Sequence, residues 1–163
     1  MVEMYKAYKF RLYPPEKQKV LINKNFGCSR FVYNYYLAYI KEHKYLNACM
    51  CIEHYVNHLK NEYPFLTEAD SILIRKTLFN LDNAFKRYFN KQGNYPKYKS
   101  KFSKNSYNTN AVYQKYKSKE YCNIEVDFTR KQIKLPKLKW INIRGYRNLK
   151  EIKGRIINAT ISS

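Results

Sequence analysis

Glycine is scarce in this chain, and the loops that depend on it are missing. The 163 residues include four glycines. No stretch matches a Walker loop, a G-x-G-x-x-G loop or a G-x-S-x-G nucleophile turn, each of which needs closely spaced glycines. The sequence therefore favours neither a nucleotide-dependent enzyme nor a serine hydrolase.

Acidic residues are the second shortage. Asp and Glu total 12 against 32 Lys and Arg. A two-metal nuclease needs several carboxylates that converge from separate elements, and here the acidic residues are scattered. Glu125 and Asp127 share one strand face, and we interpret them as a solvent-facing pair on a hairpin. We expect no catalytic residue in this chain and no enzymatic activity of its own.

Long apolar runs are also absent. No run of about 18 apolar residues is present, as a transmembrane helix would require. The first residues, Met1–Lys6, lack the apolar core of a secretory signal. We therefore expect a cytoplasmic protein.

The four cysteines stand at irregular spacings, at Cys28, Cys49, Cys51 and Cys122. We predict reduced thiols, with Cys28 and Cys122 in the core. The segment Cys49–His58 reads C-x-C-x2-H-x3-H, which resembles a zinc site, but its two ligand pairs are almost contiguous. We expect no metal and no cofactor, and keep a zinc-dependent interaction module as an alternative.

The positive excess is the strongest signal, since the formal net charge is +20. A polyanionic partner would screen this self-repulsion and release counterions. The charge is spread along the chain, which argues against a membrane surface. A solvated basic surface is the alternative, and an AT-rich genome would enrich Lys, Asn and Tyr. Such a bias does not explain the sign of the charge, so we predict nucleic-acid partners.

The apolar pattern predicts an α+β fold. Residues 4–13 alternate as a half-buried strand with a basic outer face. Helical spacing follows, either as two helices around Gly27, which would suit a helix-turn-helix, or as one long helix through it. Further helices are predicted at 51–62 and 68–91, the last behind a Thr67–Asp70 capping box. From residue 121 the period becomes two, giving a hairpin and two more strands.

This layout predicts a small antiparallel β-barrel interrupted by a helical insertion with a helix-turn-helix-like segment. Residues 1–14 are the first barrel strand, 15–92 a helical lobe, 93–119 a basic connector and 120–163 the rest of the barrel. The first strand should pair with the C-terminal meander. In the connector, lysines would follow a phosphate backbone while tyrosines stack on bases. A flexible linker is an equally good interpretation of this segment.

Seven segments, in order along the chain, resemble one family: 8–14, 26–34, 78–86, 95–101, 106–109, 133–138 and 159–162. They are similar to the N-terminal part of TnpB, also called OrfB, an insertion-sequence protein related to type V CRISPR nucleases. The resemblance implies a wedge-type barrel and a helical recognition lobe that bind a guide RNA and duplex DNA beside the target. The family's nuclease domain, with its carboxylates and zinc ribbon, would follow this chain.

The resemblance also implies DNA contacts. Two family positions, one turn apart near the start of the long helix, approach the target-adjacent motif and correspond to Ser71 and Arg75. Thr109 matches another contact, and Tyr107 of the same segment is assigned with it. Arg75 can bind guanine bidentately or hold phosphate. Capping or solvent exposure explains Ser71 and Thr109 equally well.

We assign RNA or phosphate contacts to seven basic residues: Lys9, Arg11, Arg30, Lys97, Lys99, Lys101 and Lys104. The leading hypothesis is thus a TnpB-like chain that binds RNA and DNA without cutting. The alternative is a helix-turn-helix regulator from a decayed mobile element, which would bind duplex DNA without a guide.

Overall fold

The computed structural model describes residues 4–145 and 154–163. The chain divides into two compact units. The sheet unit contains Met1–Lys19 and Ala111–Ile157, and the helical unit contains Val20–Asn110 and Asn158–Ser163. No helix in the described ranges combines the length and the hydropathy that crossing a bilayer requires.

The longest element, α1, is one continuous helix, Glu16–Glu42. Its buried residues recur every three or four positions and include Phe26, Val32, Tyr36 and Ile40. Gly27 lies inside this helix and does not interrupt it. Of the two arrangements that the sequence allows, the structure therefore has the single helix, because the apolar stripe continues on both sides of the glycine.

A second helical segment follows a short turn. It consists of α2, Ala48–His54, a π-helical turn, Tyr55–Leu59, and α3, Lys60–Glu62. The side chain of Asn47 caps its start by accepting a hydrogen bond from the Met50 amide at 3.0 Å. The segment starts earlier than predicted because this cap lies upstream of the first apolar residue used for the prediction.

The helix α4, Ser71–Phe89, begins later than the sequence predicts. Residues Pro64–Glu68 form a 3₁₀ turn instead, in which the Thr67 hydroxyl donates to the Pro64 carbonyl. The predicted capping box is therefore wrong, and the N-cap is Asp70. Of the five residues that the spacing predicts for the apolar face of this helix, Ile74, Leu78, Leu81 and Phe85 are buried, whereas Phe89 is 54% exposed.

The sheet unit is built on four antiparallel strands in the order β1-β7-β6-β5. These are β1, Arg11–Tyr13, β5, Glu125–Asp127, β6, Gln132–Leu135, and β7, Lys139–Arg144. The first strand pairs with β7, with Leu12 opposite Ile143, which confirms the predicted pairing of the N-terminal strand with the later meander. The first turn of α1 is tied to this sheet, since the Gln18 amide donates to the Leu138 and Trp140 carbonyls.

The remaining strands form two antiparallel pairs. In the sheet unit β3, Tyr113–Tyr116, pairs with β4, Lys119–Cys122; in the helical unit β2, Ser106–Asn110, pairs with β8, Asn158–Ser162. The fold is thus α+β with antiparallel sheets. Among the described strands the pairings do not close a barrel, and the barrel stays a prediction.

The segment 93–119, expected to be a partly extended connector, contains β2 and β3. The alternation of β2 is not visible in the sequence, because its buried residues, Tyr107 and Thr109, carry polar groups as their neighbours in the strand do. Only burial against the helices makes the two faces of that strand different.

Candidate nucleic-acid interface

The start of α4 is fixed by a buried chain of hydrogen bonds. One Asp70 carboxylate oxygen accepts from the Ile72 amide at 3.1 Å, and the other accepts from the Thr109 hydroxyl at 2.7 Å. Asp70 and Thr109 are 5% and 1% exposed. Because β2 thus holds the N-cap, the first turn of α4 is preorganised.

The outward face of α4 forms a stripe with one exposed residue every fourth position: Ser71, Arg75, Phe79, Asn83 and Arg87. Successive residues at this spacing are neighbours on the helix surface, and the row winds around the helix by about 40° at each step, so Ser71 and Arg87 face different directions. The single carboxylate within α4, Asp82, is buried and pairs with Lys86 at 2.9 Å. The α4 stripe therefore presents two cations, a hydroxyl, an amide and the phenyl ring of Phe79, without a negative charge to repel a polyanion.

Ser71 and Arg75, the two predicted DNA contacts, lie together at the start of this stripe and face solvent. Phe79, Asn83 and Arg87 were not singled out from the sequence. They could have been found as the helix positions opposite the apolar face, since every fourth residue from Ser71 onward falls outside the buried pattern.

Tyr107 and Thr109, the other two predicted DNA contacts, are buried in the helical unit. The Tyr107 hydroxyl accepts a hydrogen bond from Asn25 at 3.4 Å, and its ring packs edge-on against Phe26 at 5.4 Å. Burial raises the pKa of Tyr107 to about 12, so the phenol stays neutral. In this structure both side chains hold β2 against the helices, and their contact with DNA stays a prediction.

A second basic feature is a pocket of about 210 Å³ between α1 and residues 99–106. Three predicted phosphate ligands line it, Arg30, Lys99 and Lys104. The Arg30 guanidinium donates to the Asn105 side chain at 3.1 Å. The structure thus brings together residues that lie about 70 positions apart in the chain.

Lys99 is the most constrained of these cations. Its ammonium lies 4.3 Å from the centroid of the Tyr33 ring, a cation–π geometry. Burial of the ammonium lowers the pKa of Lys99. Its backbone amide and carbonyl both bond the Asn34 side chain, at 2.8 and 3.0 Å, which fixes this segment on α1.

The remaining predicted phosphate ligands lie elsewhere. Lys97 and Lys101 are exposed in the helical unit and do not line the pocket. Lys9 and Arg11 are exposed in the sheet unit. Arg11 stands opposite Arg144 in the β1–β7 register, so that two cations share one place on this sheet. Arg144 was missed because only strand pairing brings it beside Arg11.

The Cys and His side chains of the segment Cys49–His58 do not meet at one point. Cys49 is exposed, whereas Cys51 is buried and its thiol faces the Leu46 carbonyl at 3.7 Å. The His54 imidazole contacts the Tyr36 hydroxyl at 3.1 Å. Within residues 4–145 and 154–163, no three His, Cys, Asp or Glu side chains are grouped so that they could hold a metal ion.

The carboxylates of Glu125 and Asp127 each interact with a neighbouring residue of their own hairpin. Glu125 pairs with Lys134 at 2.8 Å. Asp127 accepts from the Arg130 amide at 2.9 Å, which closes the hairpin turn. Both groups therefore act locally in the β5–β6 hairpin.

Comparison with known proteins agrees with these features. A family model for the helix-turn-helix domain of OrfB from IS605 matches residues 1–47. A candidate RNA-guided DNA endonuclease of Streptomyces pristinaespiralis is 31% identical over 109 residues, which cover 62% of this chain and 27% of that protein. The candidate RNA-guided DNA endonuclease InsQ of Escherichia coli K12 is 28% identical over 163 residues, 96% of this chain and 37% of InsQ. Virulence protein VsdF of Salmonella dublin is 34% identical over 113 residues, 61% of this chain and 90% of VsdF.

The family match and these relatives support a nucleic-acid-binding protein associated with transposons. The chain belongs to the TnpB/OrfB family of insertion-sequence proteins. It spans 27% and 37% of the two endonuclease relatives.

Proposed function

We propose that this chain binds a guide RNA and the duplex DNA beside a target, as the nucleic-acid-binding region of a TnpB-like RNA-guided DNA endonuclease, without cutting DNA by itself. The observation that carries the proposal is the α4 stripe. It is free of carboxylates, and its first turn is held by Asp70 and Thr109. Such a protein would work in the cytoplasm beside the chromosome.

The DNA part of the proposal rests on Ser71 and Arg75. A helix fits the major groove of B-form DNA, and arginine recognises guanine there through two hydrogen bonds. Both side chains are exposed, Ser71 on the first turn of α4 and Arg75 on the second, and the buried N-cap limits how far this end of the helix can move. Arg87, at the other end of the stripe, is suited to a phosphate contact.

The RNA part rests on the pocket lined by Arg30, Lys99 and Lys104. It also rests on the sheet-unit cations Lys9, Arg11 and Arg144, the last two paired across β1 and β7. The wedge-type barrel belongs to the same proposal. The sheet β1-β7-β6-β5, in which the first strand joins strands more than 100 residues later, supports it.

The proposal that this chain does not cut DNA rests on the state of its carboxylates. Hydrolysis by the two-metal route needs carboxylates that are free to hold cations. In the described ranges, six carboxylates are in ion pairs, Glu16, Glu68, Asp82, Glu120, Glu125 and Asp127, and no three His, Cys, Asp or Glu side chains are grouped so that they could hold a metal ion. Asp70 is committed to the cap of α4.

A guide-independent regulator is the second candidate. It is favoured by the match of residues 1–47 to a helix-turn-helix family model. In this chain that region contains β1 and α1, so the second helix of such a motif would be α2, after the turn at 43–47. Dependence of DNA binding on RNA separates the two candidates.

The test measures binding of the whole chain to duplex DNA libraries, with and without a structured RNA transcribed from the flanking element. We expect RNA-dependent selection of one short motif. Arg75→Gln should weaken binding to that motif by about 5- to 100-fold, since one bidentate base contact is lost. Lys60→Gln removes an equal charge from the exposed surface of α3 and should leave the motif unchanged.

The outcomes are distinct. Motif selection without RNA would replace the proposal with the regulator. Equal effects of Arg75→Gln and Lys60→Gln would remove α4 from DNA recognition. Failure to bind any nucleic acid at low salt would overturn both candidates.

A further inference from the structure

The turn Ser100–Ser103 closes one side of the basic pocket. The Ser100 hydroxyl accepts from the Phe102 amide at 3.2 Å, and the Ser103 hydroxyl donates to the Ser100 carbonyl at 2.7 Å. The preceding residue, Lys99, is bonded to Asn34 of α1 through its backbone. The turn is therefore held both internally and against α1, although its residues are exposed.

The pocket carries positive charge that the protein does not neutralise. Its lining contains Arg30, Lys99 and Lys104 and no carboxylate. In the described part of the chain none of these three cations takes part in an ion pair. Arg30 has five N–H donors and a single hydrogen bond is seen, to Asn105. An anion is the ligand that would satisfy this lining.

The size of the pocket indicates which anion. Small-molecule sites usually measure about 300–1,000 Å³, whereas this pocket measures about 210 Å³. A volume of this size suits a single phosphate group better than a whole nucleotide. The Ser100 hydroxyl, which only accepts a hydrogen bond within the turn, and the Asn105 side-chain NH2 line the pocket beside the cations and are groups that donate to phosphate oxygens.

Phe102 lies at the tip of the same turn and is 96% exposed. A phenylalanine at this exposure contributes little to the core, and no ring contact to it is seen among the described residues. Aromatic side chains beside a basic groove stack on unpaired bases. A base within a duplex does not offer a free face, so this ring favours a single strand.

We propose that the pocket and Phe102 form a subsite for one nucleotide step of a single strand, with the phosphodiester held by Arg30, Lys99 and Lys104 and the adjoining base stacked on Phe102. This inference rests on the proposed function and specifies where the chain holds an unpaired segment. RNA and single-stranded DNA share this chemistry, and the experiment distinguishes them.

The test uses fluorescence anisotropy of the full chain with unstructured RNA and single-stranded DNA of one sequence, and with duplex DNA. Phe102→Leu should weaken single-strand binding by about 5- to 100-fold, the loss of one stacked base. Duplex binding should be unchanged. Tyr121→Leu is the matched control, because Tyr121 is 48% exposed in the sheet unit and lies outside the connector.

The phosphate is located by chemical scanning of the strand. One abasic position should abolish the effect of Phe102→Leu, and one methylphosphonate beside it should abolish the effect of Lys104→Gln. Tighter binding of RNA than of DNA identifies the guide as the source, and the reverse order identifies a displaced DNA strand. If the wild-type chain binds single strands and Phe102→Leu binds them with the same affinity, the subsite alone is overturned. If the wild-type chain binds none of the probes, the proposed function is overturned as well.

Discussion

The hydrogen bond between Thr109 and Asp70 gives a sharp test of what Thr109 does. Thr109→Val keeps the shape of the side chain and removes the hydroxyl that donates to the carboxylate at 2.7 Å. Both residues are buried, so water cannot replace the lost donor without rearrangement. Hydrogen bonds to charged groups contribute about 1.5–3 kcal/mol. We expect the free energy of unfolding of the helical unit to fall by that amount.

The assay is urea unfolding followed by far-ultraviolet circular dichroism, because the single tryptophan, Trp140, belongs to the sheet unit. Thr109→Ser retains the hydroxyl and should cost less than about 1 kcal/mol, close to the removal of one methyl group. Equal stability of the valine and serine variants would refute the reasoning. A valine variant of unchanged stability that no longer binds DNA would instead establish Thr109 as a direct contact.

Two further predictions concern titratable groups. Burial raises the pKa of Cys51 to about 12, whereas Cys49 is exposed. At neutral pH iodoacetamide should therefore modify Cys49 in the folded chain and Cys51 only after unfolding. Mass spectrometry of the modified chain measures this difference. Burial would raise the pKa of Asp82, but hydrogen bonds from Lys86 and Tyr45 hold it below its ordinary value. The stability that Asp82 contributes is therefore complete at neutral pH and is lost as the pH falls below about 4, so the stability difference between wild type and Asp82→Asn should shrink in acid. Rapid modification of Cys51, or a difference independent of pH, would contradict the respective assignments.

Local patterns in the sequence predicted the elements whose burial follows from periodicity alone. The α4 face through Leu78, Leu81 and Phe85 is buried, and the Ile133 and Ile141 alternation gives paired strands. The pairing of β1 with the later strands was predicted because an isolated early strand needs a partner to cover its edge.

Apart from the pairing of β1, contacts between residues far apart in the chain were not predicted. Nothing near Asp70 in the sequence indicates Thr109, 39 residues later, and the predicted cap instead used the local Thr67. The pocket joins Arg30 to residues 99–106, a segment whose serines and lysines are equally typical of a flexible linker. Such partners are selected by packing of whole elements, and a single sequence does not record that packing.

Gly27 offers a final test of the single-helix arrangement. Glycine inside a helix costs about 0.5–1 kcal/mol relative to alanine, because more backbone freedom is lost on folding. A Cβ atom added at Gly27 meets no atom within 4 Å. Gly27→Ala should therefore raise the free energy of unfolding by about 0.5–1 kcal/mol in the same urea assay.

Gly145 supplies the control for that measurement. Its φ is +78°, a left-handed conformation that costs about 1–2 kcal/mol for a residue with a Cβ. Gly145→Ala should therefore destabilise the chain, so the two substitutions are expected to have opposite signs. If Gly27→Ala were also destabilising, Gly27 would require a conformation or a close contact that the continuous helix does not have, and the single-helix arrangement would be contradicted.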